Sequence, residues 1–218
     1  MRIDELFVSV QGEGMWLGMP AVFVRVAGCN LDCHWCDTPR AKSAAQAEAR
    51  SVADIVDAVR AHALSHVVIT GGEPTIYAEK LPALCAALRE HQRIITLETN
   101  ATRFVACDAD LYSLSPKSPA SQASAAESWN DAVIRQYLAQ RRAWQIKLVV
   151  GSRDEAEEAL ARLKALDIGR THVFLMPQAR TREEHVQCAE WLVPFCCATG
   201  CRFGARLQTL LWNNTPGR

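Results

Sequence analysis

The sequence predicts an α/β fold, a partial (β/α)6 barrel with parallel strands. Three observations carry that expectation. Apolar, β-branched runs alternate with amphipathic ones along the 218 residues, and such alternation builds a parallel sheet with right-handed helical crossovers. Six strands fall between Val22 and Met176, at 22–26, 66–70, 93–97, 111–114, 145–150 and 172–176, too few for a complete eight-stranded barrel. Five of these runs break at the same end into a glycine, a charge or an amide: Gly28-Cys29, Gly71-Gly72-Glu73-Pro74, Glu98-Thr99-Asn100, Ser115-Pro116-Lys117 and Pro177-Gln178. Active sites of parallel α/β folds gather at that rim.

Leu6–Val10 alternates loosely and reads as a first strand. It runs into Gln11-Gly12-Glu13-Gly14, a tight turn whose two glycines let the backbone approach a ligand. The strand over 22–26 carries Arg25 in an apolar run, and an arginine there needs an anionic partner or a path to solvent. Residues 41–50 have no period and read as a loop or short helix. Ser51-Val52-Ala53-Asp54 has the pattern of a capping box for a helix over 55–64. The strand 66–70 follows, then a helix over 79–91 and the strands 93–97 and 111–114. A helix over 129–142 leads to the strand 145–150. Ser152 with Glu155 caps a helix over 156–166, and the strand 172–176 follows. Thr181 with Glu184 caps a long helix over 185–199, and 202–207 reads as a last strand. One domain spanning 1–218 is expected, with no repeat or linker.

Lys+Arg and Asp+Glu both number 24, so the chain lacks the basic footprint of a nucleic-acid binder. No apolar run is long enough to span a bilayer. The start, Met1-Arg2-Ile3-Asp4-Glu5, has no apolar stretch of the kind that opens a secretory signal, so a cytoplasmic location is expected. In that reducing compartment the nine cysteines do not read as a disulfide framework. Cys85 reads as a small core residue of a helix. Cys188, Cys196, Cys197 and Cys201 are close enough in sequence to suggest a second cluster. They lie on a helix and its end, and the eight-residue spacing of Cys188 and Cys196 favours core packing.

Cys29, Cys33 and Cys36 stand apart from these. They form C-x-x-x-C-x-x-C on the loop after the strand 22–26, where three thiolates can converge above one strand end. A closed zinc site wants four protein ligands, and a cubane [4Fe–4S] cluster normally takes four thiolates. Three leave one iron open to something that reacts. The alternative is a zinc-stabilised binding module, with Asp37, His34 or a distant cysteine as fourth ligand. Gly71-Gly72-Glu73-Pro74 is no phosphate loop, since Glu73 has the wrong sign and the G-x-x-x-x-G-K-[ST] spacing is absent.

The cysteine spacing, Trp35 before the last cysteine, and the Gly-Gly-Glu-Pro turn together resemble the radical S-adenosylmethionine (SAM) enzymes. That resemblance implies a partial barrel of radical SAM type. Its open iron chelates the methionine end of SAM, and the Gly-Gly-Glu-Pro edge, with Glu73, contacts the SAM amino group. Gln11-Gly12-Glu13-Gly14, Phe23-Val24-Arg25, Cys36-Asp37-Thr38, Glu98-Thr99-Asn100 and Ser115-Pro116-Lys117 make the chain similar to the 7-carboxy-7-deazaguanine synthase family. Residues 118–130 match none of that family's motifs, and the stretch 206–212 matches only loosely.

The family resemblance implies a homodimeric lyase of queuosine and 7-deazapurine biosynthesis. It would take 6-carboxy-5,6,7,8-tetrahydropterin, contract its ring and release ammonia, using SAM, a [4Fe–4S] cluster, Mg²⁺ and an electron donor such as a flavodoxin. Cys29, Cys33 and Cys36 would hold the cluster, whose electron turns SAM into a radical that takes a hydrogen from pterin C6. Trp35, Asp37, Gly72, Glu73, Ser115, Lys117 and Gln178 would hold SAM. Val10, Gln11, Gly12, Glu13, Arg25 and Thr70 would hold the pterin, and Thr38 the magnesium. Arg25 suits a carboxylate because its fork binds two oxygens at once. The rival within the superfamily is a glycyl-radical activase, which would share the cluster loop and the Gly-Gly-Glu-Pro turn but not Gln11–Gly14 with Arg25.

Overall fold

Alternate residues of each strand differ in chemistry, and the sheet is built on that difference. In the computed structural model, which describes residues 1–45, 47–118, 128–213 and 215–217, nine strands form one sheet. They are β1 (Arg2–Val10), β2 (Pro20–Val26), β3 (Glu48–Ala49), β4 (His66–Gly71), β5 (Ile94–Thr99), β6 (Leu111–Leu114), β7 (Ala143–Val150), β8 (Val173–Pro177) and β9 (Arg202–Phe203). Their order is β3-β1-β2-β4-β5-β6-β7-β8-β9. From β2 to β9 every pairing is parallel, and β1 runs antiparallel to both β2 and β3. The six expected strands are thus the continuous parallel run β2-β4-β5-β6-β7-β8. The sheet is an open partial barrel of mixed α/β type.

Five longer helices cover it: α1 (Val52–Arg60), α2 (Leu81–Glu90), α3 (Asp131–Leu138), α4 (Arg153–Ala165) and α5 (Arg182–Thr199). A short α6 (Leu207–Trp212) follows β9. One strand face supplies Val22, Val24, Val26, Val67, Ile69, Ile95, Leu97, Ile146, Leu148 and Leu175 to the main core, with Ile55, Leu84, Leu88, Ile134, Leu163 and Phe195 from the helices. Burying each large apolar side chain contributes roughly 1.5–3 kcal/mol. The other face turns into the barrel and carries the polar strand residues. Arg25 lies opposite Thr70, Glu98 opposite Ser113 and Ser113 opposite Gln145. The lower end of the interior is closed by a small apolar cluster of Ala21, Phe23 and Val68.

The expected caps are present. Ser51 with Asp54 and Thr181 with Glu184 form reciprocal capping boxes, and Ser152 accepts from the Glu155 amide. α5 ends at Gly200, whose φ of 75° is the left-handed conformation that glycine adopts freely. Cys85 and Cys196 are core residues. Cys201 is buried, Cys188 packs at the core edge, and Cys197 faces solvent.

Several boundaries move, for physical reasons. β1 begins at Arg2 rather than Leu6, because Arg2 and Ile3 pair with β3. Residues 41–50 hold part of a 3₁₀ turn (Pro39–Lys42) as well as β3. The helix expected over 129–142 is only α3: Asn130 accepts from the Val133 amide at 3.2 Å to start it, and Ala143 is already paired to Leu111. β5 extends two residues further than expected, so Glu98 and Thr99 are strand residues rather than loop. The last strand expected over 202–207 stops at Phe203. Gly204 is pressed against Met176, the Leu207 amide donates to the Gly12 carbonyl at 3.0 Å, and the chain turns into α6 across the barrel mouth. Of the stretch 118–130, residues 119–127 lie outside the described residues.

Candidate active site

A cavity of about 470 Å³ opens at the C-terminal ends of the parallel strands. Its rim is the loop carrying Cys29, Cys33 and Cys36, all three of which line it. The loop is tethered on both sides. The Asn30 side chain donates to Thr102 at 2.8 Å and accepts from Asn100 at 3.0 Å. Lys42 donates to the Cys33 carbonyl at 2.7 Å and to Asp32 at 2.6 Å, and Arg180 donates to the His34 carbonyl at 2.6 Å. Burial pushes the Cys29 thiol up to about 11 and raises Cys36 as well. Such thiols ionise fully only when a metal displaces the proton.

Among the described residues no three Cys, His, Asp or Glu side chains are drawn together as a single-ion site requires. The fourth ligands considered for zinc are placed elsewhere. His34 is exposed, and Asp37 is ion-paired to Arg206. Three thiols on one wall of a wide cavity fit a polynuclear cluster with one open metal.

The Gly-Gly-Glu-Pro turn faces this loop. A Cβ on Gly72 would stand 2.1 Å from the Gly28 carbonyl oxygen, so only glycine fits there. The amides of Gly72 and Glu73 donate to the carbonyls of Val26 (2.9 Å) and Gly28 (2.8 Å). What the turn offers a ligand is therefore carbonyl oxygen, an acceptor suited to an ammonium. Glu73 is 1% exposed. Its carboxylate accepts from the Thr75 amide and hydroxyl, the Thr99 hydroxyl and the Asn100 amide at 2.6–3.0 Å. It pins the turn to β5, and burial raises its pKa. Across the rim, Lys117 donates to Ser115 at 2.5 Å and lies 5.6 Å from the Trp35 ring centre.

The floor is a ladder of charge. Lys147, on the inward face of β7 and 3% exposed, donates to Glu13 at 2.8 Å and to Glu98 at 2.7 Å. Glu13 also accepts from Arg206 at 3.2 Å and Gln208 at 2.7 Å. Arg206, equally buried, pairs with Asp37 and donates to the Ala179 carbonyl at 2.7 Å. Glu98 further accepts from Thr70 at 2.9 Å and Gln11 at 3.3 Å. Burial alone would neutralise Glu13, but Lys147 and Arg206 outweigh it and hold its pKa well below the usual carboxylate range. The same two acids hold Lys147 above the usual lysine range. Arg25 stands at the side. Only its Nε is engaged among the described residues, by Glu5 at 3.3 Å, and its guanidinium lies over the Phe7 ring.

Sixteen of the seventeen site residues expected from sequence line this one cavity; Gln178 does not. Its side chain lies against Gly151 and its amide donates to Val150. Sequence reasoning missed Lys147 and Arg206. Lys147 had a visible signal, a lone cation in Gln145-Ile146-Lys147-Leu148-Val149-Val150, which is the feature that singled out Arg25. Arg206 had none, because its position depends on the turn after β9.

The partial barrel, the three-thiol rim and the acid-pinned glycine turn define a radical SAM enzyme, and residues 23–192 match the model of the Radical SAM superfamily. Such enzymes work with a [4Fe–4S] cluster and SAM. The 7-carboxy-7-deazaguanine synthase of Rhodopirellula baltica is 35% identical to this chain, over all of it and 88% of the relative. That of Pyrobaculum aerophilum is 35% identical over all of this chain and 97% of the relative. The crystal structure of QueE from Escherichia coli superposes with a TM-score of 0.71 at 25% identity, over 93% of this chain and 92% of that one. The chain therefore belongs to the 7-carboxy-7-deazaguanine synthase family, radical SAM lyases of queuosine biosynthesis that act on a small molecule.

Glu13 links the two cations of the ladder, so Glu13→Gln is expected to cost on the order of 3 kcal/mol near neutral pH by leaving buried charge poorly compensated. Because its folded pKa is depressed, the stability it contributes is present above the ordinary carboxylate range. It is lost as pH falls through that range toward the depressed value. Urea unfolding of both proteins from pH 7 to pH 4 should show the gap narrowing at the acid end. A gap independent of pH would contradict the ionised assignment.

Proposed function

We propose that this cavity converts 6-carboxy-5,6,7,8-tetrahydropterin to 7-carboxy-7-deazaguanine with release of ammonia, SAM and the cluster lying at the rim and the pterin on the charged floor. The observation that carries the reading is the placement of Arg25. Its Nε and ring contact fix the guanidinium, and its terminal nitrogens remain for a carboxylate in a cavity that also holds three thiols. The cluster, when bound by Cys29, Cys33 and Cys36, supplies one-electron reduction of SAM and hence a hydrogen-abstracting radical.

The protein's part is to bind and orient. The Gly72 carbonyl edge, held by Glu73, receives the SAM ammonium. Trp35, Asp37, Ser115 and Lys117 line the path of the rest of SAM. Val10, Gln11, Gly12, Glu13 and Thr70 receive the pterin ring. Gln178, which does not line the cavity, takes no part in this assignment. Thr38 donates its hydroxyl proton to Asp37 at 3.0 Å, which leaves the oxygen lone pairs for a magnesium ion that keeps waters and takes further ligands from its substrate. A single catalytic domain, a homodimer, a reduced electron carrier of flavodoxin type and a cytoplasmic location complete the reading. Among the described residues no helix is long and apolar enough to cross a membrane. The glycyl-radical activase alternative lacks the full-length similarity found here to 7-carboxy-7-deazaguanine synthases.

The test is anaerobic turnover of the carboxylated tetrahydropterin, with Arg25→Ala beside wild type. Wild type should release ammonia and form the deazapurine. Arg25→Ala should lose about 2–5 kcal/mol in kcat/KM for the pterin, the cost of truncating one side of a desolvated charge pair. Its SAM dissociation constant should be unchanged, and Arg25→Lys should recover little because an ammonium has no fork. Loss of soluble, cluster-loaded protein would instead make Arg25 a structural partner of Glu5.

Thr38→Ala should lower turnover more than it lowers SAM affinity and raise the magnesium concentration needed for half-maximal rate. Identical magnesium titrations for mutant and wild type would remove Thr38 from the metal.

A further inference from the structure

Lys147 does more than balance charge. It sits on β7 between Gln145 and Val149, facing into the barrel, and its ammonium is fixed by Glu13 at 2.8 Å and Glu98 at 2.7 Å. An ammonium carries three protons. Two are used, and among the described residues the third has no partner, although the side chain lines the cavity. Among the described residues Glu13 Oε2 accepts only from Lys147, and Glu98 Oε2 only from Thr70. A carboxylate oxygen has two acceptor sites, so each acid retains one. The floor therefore shows a ligand one fixed cationic donor flanked by anionic acceptors.

A 2-amino-4-oxopyrimidine edge presents an amino group, a ring N–H and a carbonyl oxygen, which is two donors followed by one acceptor. Within it the ring N–H beside the carbonyl, a donor next to an acceptor, is the complement of a carboxylate acceptor beside an ammonium donor. We propose that Lys147 is a specificity-determining residue: its free N–H donates to the ring carbonyl of the substrate, while a flanking acid takes the adjacent ring N–H. This rests on the pterin-to-deazapurine reading above. It adds the direction in which the ring lies on the floor, its pyrimidinone edge toward β7 and its carboxylate toward Arg25.

The experiment measures binding rather than turnover. Anaerobic, cluster-loaded protein with SAM present is titrated calorimetrically with 7-carboxy-7-deazaguanine and with its thiocarbonyl analogue. The analogue keeps the amino and ring N–H groups and replaces the oxygen acceptor with a weaker sulfur acceptor. Wild type should bind the oxo ligand about tenfold more tightly, as befits a hydrogen bond from a charged donor. In Lys147→Met the preference should shrink to under about twofold.

Because that variant leaves two acids short of a cation, Lys147→Met combined with Glu98→Gln is measured beside it. The double variant removes one negative charge with the positive one. A preference that survives in either folded variant overturns the inference and leaves the pterin reading intact. A purely structural lysine would weaken both ligands equally and preserve the ratio. Failure of both variants to fold would likewise assign Lys147 to structure alone. Failure of wild type to bind the oxo ligand would overturn the pterin reading and this inference with it.

Discussion

The buried ladder Glu98–Lys147–Glu13–Arg206–Asp37 is the interaction on which the rest of this site depends. It joins β5, β7, the turn after β1, the segment after β9 and the cluster loop. No two adjacent members come from the same element, so it fastens the barrel interior as the apolar core fastens its exterior. Lys147 and Arg206, its most buried members, are tolerated there only because their neighbours carry the opposite sign. Removing one therefore disturbs several elements at once. The ladder also runs from the floor of the cavity to the loop that holds the three thiols.

The period of the strands makes this possible. In β7 the residues Ile146, Leu148 and Val150 join the apolar core beneath the helices. Gln145, Lys147 and Val149 alternate with them and face the interior. β5 repeats the division, with Ile95 and Leu97 on one face and Thr96 and Glu98 on the other. A complete barrel fills its interior with branched apolar side chains. Here Ala21, Phe23 and Val68 close only the lower end, and above them polar side chains together with Val149 and Met176 line an open cavity of about 470 Å³.

How much of this was legible in the sequence follows from which interactions are local. The six parallel strands, the capping boxes at Ser51 and Thr181 and the cysteine loop are set by neighbouring residues, and all were readable. So was Arg25, as a charge in an apolar run. Lys147 carries the same mark and was readable in principle. Arg206 was not. Its burial depends on Gly204 meeting Met176 and on the Leu207 amide reaching Gly12, contacts between residues far apart in sequence. Glu98 looked like a loop acid because strand ends are governed by the partner strand, and β6 extends the pairing to Thr99. Gln178 was a natural candidate as a rim amide, but its direction follows from packing against Gly151, which spacing does not encode.

In the proposed function, one cavity brings the pterin within reach of a radical formed at the cysteine rim. Turnover with pterin deuterated at C6 tests it directly, by mass analysis of the 5′-deoxyadenosine formed. Transfer across this cavity predicts deuterium in the 5′-deoxyadenosine together with deazapurine formation. Unlabelled 5′-deoxyadenosine formed at the same rate as the product would contradict it.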